Sequence, residues 1–125
     1  VSIVGLDHVQ VAAPPGCEAE ARRFFGELLG LAELEKPPAL RARGGAWFAV
    51  GAQQLHVGVA PAPFDAATKA HPALMADDLD ALADRLAAAG APVIWDDAIE
   101  ERRRFYTADP WGNRIELISP PASRR

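Results

Sequence analysis

The three histidines of this 125-residue chain are His8, His56 and His71. Two of them lie in segments that echo each other: Gly5-Leu-Asp-His8-Val-Gln-Val aligns with Thr68-Lys-Ala-His71-Pro-Ala-Leu at an offset of 63 residues. The third does the same with a carboxylate, since Gln54-Leu-His56-Val-Gly-Val-Ala-Pro61 aligns with Arg114-Ile-Glu116-Leu-Ile-Ser-Pro-Pro121 at an offset of 60. Imidazole and carboxylate are the side chains that bind catalytic divalent metals. A two-fold repeat is one way of bringing four distant residues to a common point, so the leading expectation is a metal site built from His8, His56, His71 and Glu116. Taken one at a time, each of these residues is better explained as a polar group at the surface or a hydrogen-bonded group in the core. It is their agreement with the repeat that argues for metal.

The elements that must position these residues are legible from periodicity. Residues 3–12 alternate as a strand does and end at Pro14-Pro15-Gly16. A helix is predicted from about Glu18, with Ala21, Phe24, Phe25, Leu28 and Leu29 on one face and Gly30 as its stop. Short strands are predicted at about 31–35, 40–42, 46–50 and 53–60. The second half repeats the order: a strand near 70–76, a helix opened by Asp77 or Asp78 and closed by Gly90, then strands near 92–95, 103–108 and 113–119. Asp109-Pro-Trp-Gly-Asn113 is a turn between the last two, and the proline-broken Pro61–Lys69 segment is the linker. The expectation is an α+β protein of paired βαβββ modules, about 1–61 and 68–121 within a single domain spanning 1–125. Its mixed sheet would be curved and cup-shaped, with helices on the outer face. Strand parity places His8, Gln10, Gln54, His56, Arg114 and Glu116 on the inner face and Val9, Val11, Leu55, Val57, Ile115 and Leu117 on the outer.

Composition narrows the partners. Net charge is −4 and the sequence pI about 5.3, which argues against nucleic acid and anionic membrane surfaces, both of which select basic proteins. No apolar run approaches the roughly 20 residues of a membrane span, and Val1–Leu6 is followed by Asp7 with no cleavage-type sequence, so nothing is expected to direct export. Cys17 is the sole cysteine, which rules out an intramolecular disulfide or a thiolate cluster and suits a cytoplasmic protein. It is expected to be inert. Trp47, Phe48, Trp95 and Trp111 are candidate pocket walls, with core or interface packing the commoner role for such aromatics.

Four segments carry a family resemblance: Gly5-Leu-Asp-His8-Val, Phe24-Phe-Gly-Glu-Leu-Leu-Gly30, His71-Pro-Ala-Leu-Met-Ala-Asp-Asp-Leu-Asp80 and Phe105-Tyr-Thr-Ala-Asp-Pro-Trp-Gly-Asn-Arg-Ile-Glu-Leu117. Together they resemble the vicinal oxygen chelate superfamily, which contains glyoxalase I, extradiol dioxygenases, fosfomycin-resistance enzymes, methylmalonyl-CoA epimerase and bleomycin-resistance proteins. The resemblance implies metal ligands on the first and last strands of each module, here His8, His56, His71 and Glu116. The ion would be divalent iron, manganese, nickel, cobalt or zinc. It also implies a small-molecule substrate that chelates the metal through oxygen, and a homodimer. Tyr106 matches a position that contacts substrate in the fosfomycin enzymes; with Arg104, which shares its strand parity, it is the candidate catalytic pair. Two departures stand out. His56 occupies a position where glyoxalase I has a glutamate, which speaks against glyoxalase activity, and Gln10 replaces a substrate-binding threonine of the fosfomycin enzymes. The function implied is metal-dependent dioxygenase or lyase and isomerase chemistry. The alternative is a metal-free binding protein of the bleomycin-resistance type that sequesters a drug or metabolite.

Overall fold

The computed structural model describes residues 1–121. The chain divides into two compact units, Val1–Asp65 and the segment from Ala66 onward, and the division falls inside the proline-rich linker. Each unit is built around one four-stranded mixed sheet.

In the first unit, β1 (His8–Ala13) runs parallel to β4 (Gln53–Val59), and β4 is antiparallel to β3 (Ala46–Val50), which pairs with the short β2 (Glu33–Leu34). The order is β1-β4-β3-β2. Between β1 and β2 lies a helix that begins as α1 (Glu18–Ala21) and continues as a π-helical stretch, Arg22–Leu28, closed by a bond from the Leu29 N–H to the Phe24 carbonyl at 2.9 Å. The wider π turn lets the adjacent Phe24 and Phe25 both enter the core. There Phe25 packs against Phe24 at 5.0 Å and Phe48 at 5.7 Å between ring centroids.

Two expectations for this unit are corrected. Residues 40–42 are not a strand: they fall at the end of a helical turn, α2 (Pro38–Arg41). Pro38 stands at the helix start, where a missing N–H costs nothing and the fixed φ is already helical. Residues 3–7 lie outside β1 and are exposed, so only the second half of the alternating run enters the ladder.

The second unit repeats the plan without the extra turn. β5 (Ala73–Met75) is parallel to β8 (Arg114–Ile118), β8 is antiparallel to β7 (Arg104–Ala108), and β7 pairs with β6 (Ile94–Asp96), giving β5-β8-β7-β6. Helix α3 (Leu79–Ala88) is capped by Asp78, whose carboxylate accepts from the Ala81 N–H at 3.0 Å, and buries Leu79, Ala83 and Leu86. The turn between β7 and β8 is held from within. Asp109 accepts from the backbone N–H groups of Trp111 at 3.1 Å and Asn113 at 2.8 Å, and from the Asn113 amide at 2.8 Å. Asn113 in turn accepts from the Ala67 N–H at 2.9 Å, which ties the end of the linker to the start of β8. No helix among the described residues is long and apolar enough to cross a membrane.

Candidate functional site

In the second unit, register brings His71, Arg104, Tyr106 and Glu116 together. Glu116 on β8 faces Tyr106 on β7 and Ala73 on β5, and His71 lies just ahead of β5. The His71 ring is fixed at both nitrogens: Nδ1 is 2.7 Å from the Lys69 carbonyl oxygen and Nε2 is 2.9 Å from Glu116 Oε1. A carbonyl oxygen can only accept, so Nδ1 must carry the hydrogen. In the neutral ring Nε2 then points a lone pair at a carboxylate oxygen, and two acceptors at that distance repel. A proton on the imidazole or on the carboxyl relieves the contact, and so does a metal ion held by the two atoms.

The spacing accommodates a metal. Two donors, each about 2.1 Å from one ion, stand roughly 3 Å apart when they subtend a right angle. Nδ1 anchored to a carbonyl is also the usual way a ligating histidine is held in its tautomer. Glu116 is almost fully buried, its side chain 7% exposed, and its second oxygen accepts from Arg104 Nη1 at 3.3 Å. Arg104 reaches Asp96 through its other terminal nitrogen at 3.4 Å. The Arg104 guanidinium is therefore committed to two carboxylates and acts on Glu116 as a positioning group. Tyr106 meets the His71 ring edge-on at 5.5 Å, and the Arg104 and Arg114 guanidinium groups lie 5.4 Å and 4.7 Å from its ring centroid.

In the first unit, the inner-face residues expected from strand parity line one cavity of about 630 Å³, with His8, Gln10, Trp47, Gln54 and His56 in its wall. Trp47 is paired directly with His56 across β3 and β4, and the two rings stack at 3.9 Å with their planes nearly parallel, 2° apart. The other face of His56 stacks on His8 at 4.0 Å. His8 resembles His71 in its anchoring, since Nδ1 is 2.8 Å from the Asp7 carboxylate, which leaves Nε2 available as a ligand. His56 differs: its Nε2 is 2.8 Å from the Gln54 side-chain oxygen, so Nδ1 is the nitrogen left to coordinate. Burial, followed by the neighbouring His8 and opposed by the Asp7 charge, pushes the His56 imidazole below its usual range, which favours the neutral form that a ligand needs. Among the described residues, no three His, Cys, Asp or Glu side chains converge as a set that could hold a metal ion.

The other sequence candidates fall into place individually. Phe48 is fully buried core. Trp95 is part exposed and packs between Phe105 and the Arg103 guanidinium. Cys17 is buried, and its thiol is pushed up by burial and the adjacent Glu18 charge, so it is no nucleophile. Sequence reasoning missed the groups that orient the histidines. Asp7 was visible as an acid adjacent to His8, whereas the Lys69 carbonyl leaves no trace in a sequence. It also missed Lys36 and Arg43, which share the cavity wall with His8 and His56.

Comparison with known proteins places this geometry. A family profile described as a glyoxalase-like domain matches residues 12–118. A solved structure of a protein from Bacillus anthracis assigned to the glyoxalase family is 48% identical, covers 95% of this chain and 97% of its own, and superposes with a TM-score of 0.90. Two more distant structures share the fold. The genomically encoded fosfomycin resistance protein of Listeria monocytogenes is 16% identical with a TM-score of 0.77, covering 97% of each chain. A lactoylglutathione lyase from Agrobacterium tumefaciens is 22% identical with a TM-score of 0.70, covering 92% of each. No curated protein sequence matches the chain.

Proposed function

This chain belongs to the glyoxalase-like domain family of the vicinal oxygen chelate superfamily, and we propose that within it the protein is a divalent-metal-dependent enzyme acting on a small oxygen-bearing substrate by dioxygenase or by lyase and isomerase chemistry. The observation that carries this reading is the contact between His71 Nε2 and Glu116 Oε1 at 2.9 Å, with His71 Nδ1 already committed as a donor. Members of the superfamily typically use divalent metals, and an imidazole and a buried carboxylate in contact are side chains that suit that use. His71 and Glu116 would hold the ion, and His8 and His56 are the other candidate ligands. When bound, such an ion supplies Lewis-acid polarisation of substrate oxygens or an oxygen-binding centre.

The remaining roles belong to this chain's own residues. Arg104 keeps one Glu116 oxygen occupied and leaves the other directed at His71, so the carboxylate presents a single coordinating atom. Tyr106, whose ring lies 5.5 Å from that of His71 at a near-perpendicular angle, would give a hydrogen bond or a proton to an oxygen of the bound substrate. In this reading the protein is a cytoplasmic homodimer. Val1, Ile3, Val4 and Leu6 are among the most exposed large apolar residues, and β1 and β5 are edge strands of their sheets. Both are features that a second copy would cover.

Metal titration tests the proposal. Untagged protein is stripped with chelator and titrated calorimetrically with manganese, cobalt, nickel and zinc, and anaerobically with ferrous iron. One ion per chain should bind to the wild type, with uptake lost in His71→Gln and Glu116→Gln and measured separately in His8→Gln and His56→Gln. If no ion binds the wild type, or both second-unit variants bind as the wild type does, the enzyme reading fails. Metal-free ligand sequestration of the bleomycin-resistance type then takes its place.

A further inference from the structure

The first unit contains five basic side chains, Arg22, Arg23, Lys36, Arg41 and Arg43. Three are matched to carboxylates: Arg22 to Glu33 at 2.8 Å, Arg23 to Glu27 at 3.7 Å and Arg41 to Glu35 at 2.6 Å. The two left over, Lys36 and Arg43, line the same cavity as His8 and His56. The Lys36 ammonium donates to the Gly44 carbonyl, a neutral acceptor that does not compensate its charge. The Arg43 guanidinium makes no hydrogen bond or ion pair among the described residues. The one acid in the cavity wall, Asp7, is engaged by His8. A chain of net charge −4 thus keeps two uncompensated cations for one concave surface.

Their position is built rather than incidental. Lys36 and Arg43 flank α2, and the segment ends at Gly44 and Gly45, both left-handed at φ 74° and 83°. A Cβ on Gly45 would lie 2.1 Å from the Val57 carbonyl oxygen, so only glycine lets this segment close against β4. The segment is pinned from two sides, by Lys36 on the Gly44 carbonyl and by the Glu18 carboxylate accepting from the Gly45 N–H at 2.6 Å. A fixed loop presents its charges without the cost of ordering them on binding.

We propose that Lys36 and Arg43 form an anion subsite that receives the carboxylate or phosphate-type group of a small acidic ligand, whose body lies along the Trp47–His56 stack. The cavity volume of about 630 Å³ suits a small metabolite, and the Gln10 and Gln54 amides supply neutral hydrogen bonds beside the charged pair. Calling that ligand the substrate rests on the enzyme reading above; binding of the anion does not.

The experiment uses benzoate, phenylphosphonate and the neutral control benzamide, titrated into chelator-treated and metal-loaded protein and followed by the tryptophan indole N–H signals in proton–nitrogen correlation spectra. At least one of the two anions should saturate the chelator-treated wild type, and the tighter of the two assigns the group as carboxylate or phosphonate. Arg43→Gln, at an exposed position, should weaken that anion about tenfold, the loss expected for one charge-assisted hydrogen bond. Lys36→Gln should act in the same direction, and Arg23→Gln, an equal change in net charge elsewhere on the unit, should have no effect. The proposal is overturned if neither anion saturates, if Arg43→Gln binds like the wild type, or if benzamide binds as tightly as the anions. Anion binding that persists where metal uptake fails would count against the enzyme reading alone; metal uptake without anion binding would count against this subsite alone.

Discussion

At the scale of single residues, the histidines are distinguished by what holds their second nitrogen. His8 and His71 both have Nδ1 fixed by an acceptor, Asp7 in one case and the Lys69 carbonyl in the other, whereas His56 is held through Nε2 by Gln54 and by stacking on Trp47. Outer partners of this kind set the orientation and basicity of a ligand, and losing one typically weakens metal binding by roughly 10- to 100-fold. Asp7→Asn is therefore expected to weaken metal affinity by about tenfold with unchanged stoichiometry, read by calorimetric titration; unchanged affinity would mean that His8 is no ligand. The ligand candidates were legible because the repeat puts them at matching positions, and Glu116 and His71 do meet. Arg104 was legible only in part. Its strand parity with Tyr106 is observed, but a sequence does not show that Glu116 and Asp96 already occupy its guanidinium.

At the scale of elements, the strands that carry His8, His56 and Glu116 followed from alternation, whereas the strand expected near 70–76 begins only at Ala73 and leaves His71 ahead of it; α3 followed from its Asp78 cap and three-to-four spacing. Residues 40–42 failed because three residues cannot reveal a period, and the deciding fact was Pro38 at the start of a helical turn. The π-helical stretch was hidden for a related reason, since apolar residues at three and four fit an α-helix equally well. Two connections make predictions. Asn113 and Asp109 are buried and bonded to each other, and Asn113→Ala would remove the amide partner of Asp109 Oδ2 and the acceptor of the Ala67 N–H together. Urea unfolding should show a loss of about 3 kcal/mol. Glu18, held below the usual carboxylate range chiefly by the Gly45 N–H, contributes stability that is present above its unfolded value near 4.5 and lost as pH falls through its lower folded value. Glu18→Gln should thus be less stable at pH 7 by about 1–2 kcal/mol, and the difference from wild type should shrink on acidification below pH 4.5. A difference that stays constant with pH would show that the Gly45 contact does not depend on charge.

For the whole molecule, two units of the same plan each carry half of the expected ligand set, His8 and His56 in one, His71 and Glu116 in the other. The second unit holds an imidazole and a carboxylate in contact; the first holds a cavity with uncompensated positive charge. The chain mass is 13.3 kDa, and sedimentation equilibrium should return twice that value if a second copy covers the apolar Val1–Leu6 segment. A monomer that persists at high concentration would remove the homodimer from the account. The central claim is that a metal ion lies between His71 and Glu116, and anomalous diffraction tests it most directly. Crystals of the metal-loaded protein would be measured on both sides of the absorption edge of the ion taken up. An anomalous peak is expected about 2.0–2.2 Å from both His71 Nε2 and Glu116 Oε1. A map without that peak, with the two atoms still in direct contact, would mean that a proton alone holds the pair, and would contradict the account.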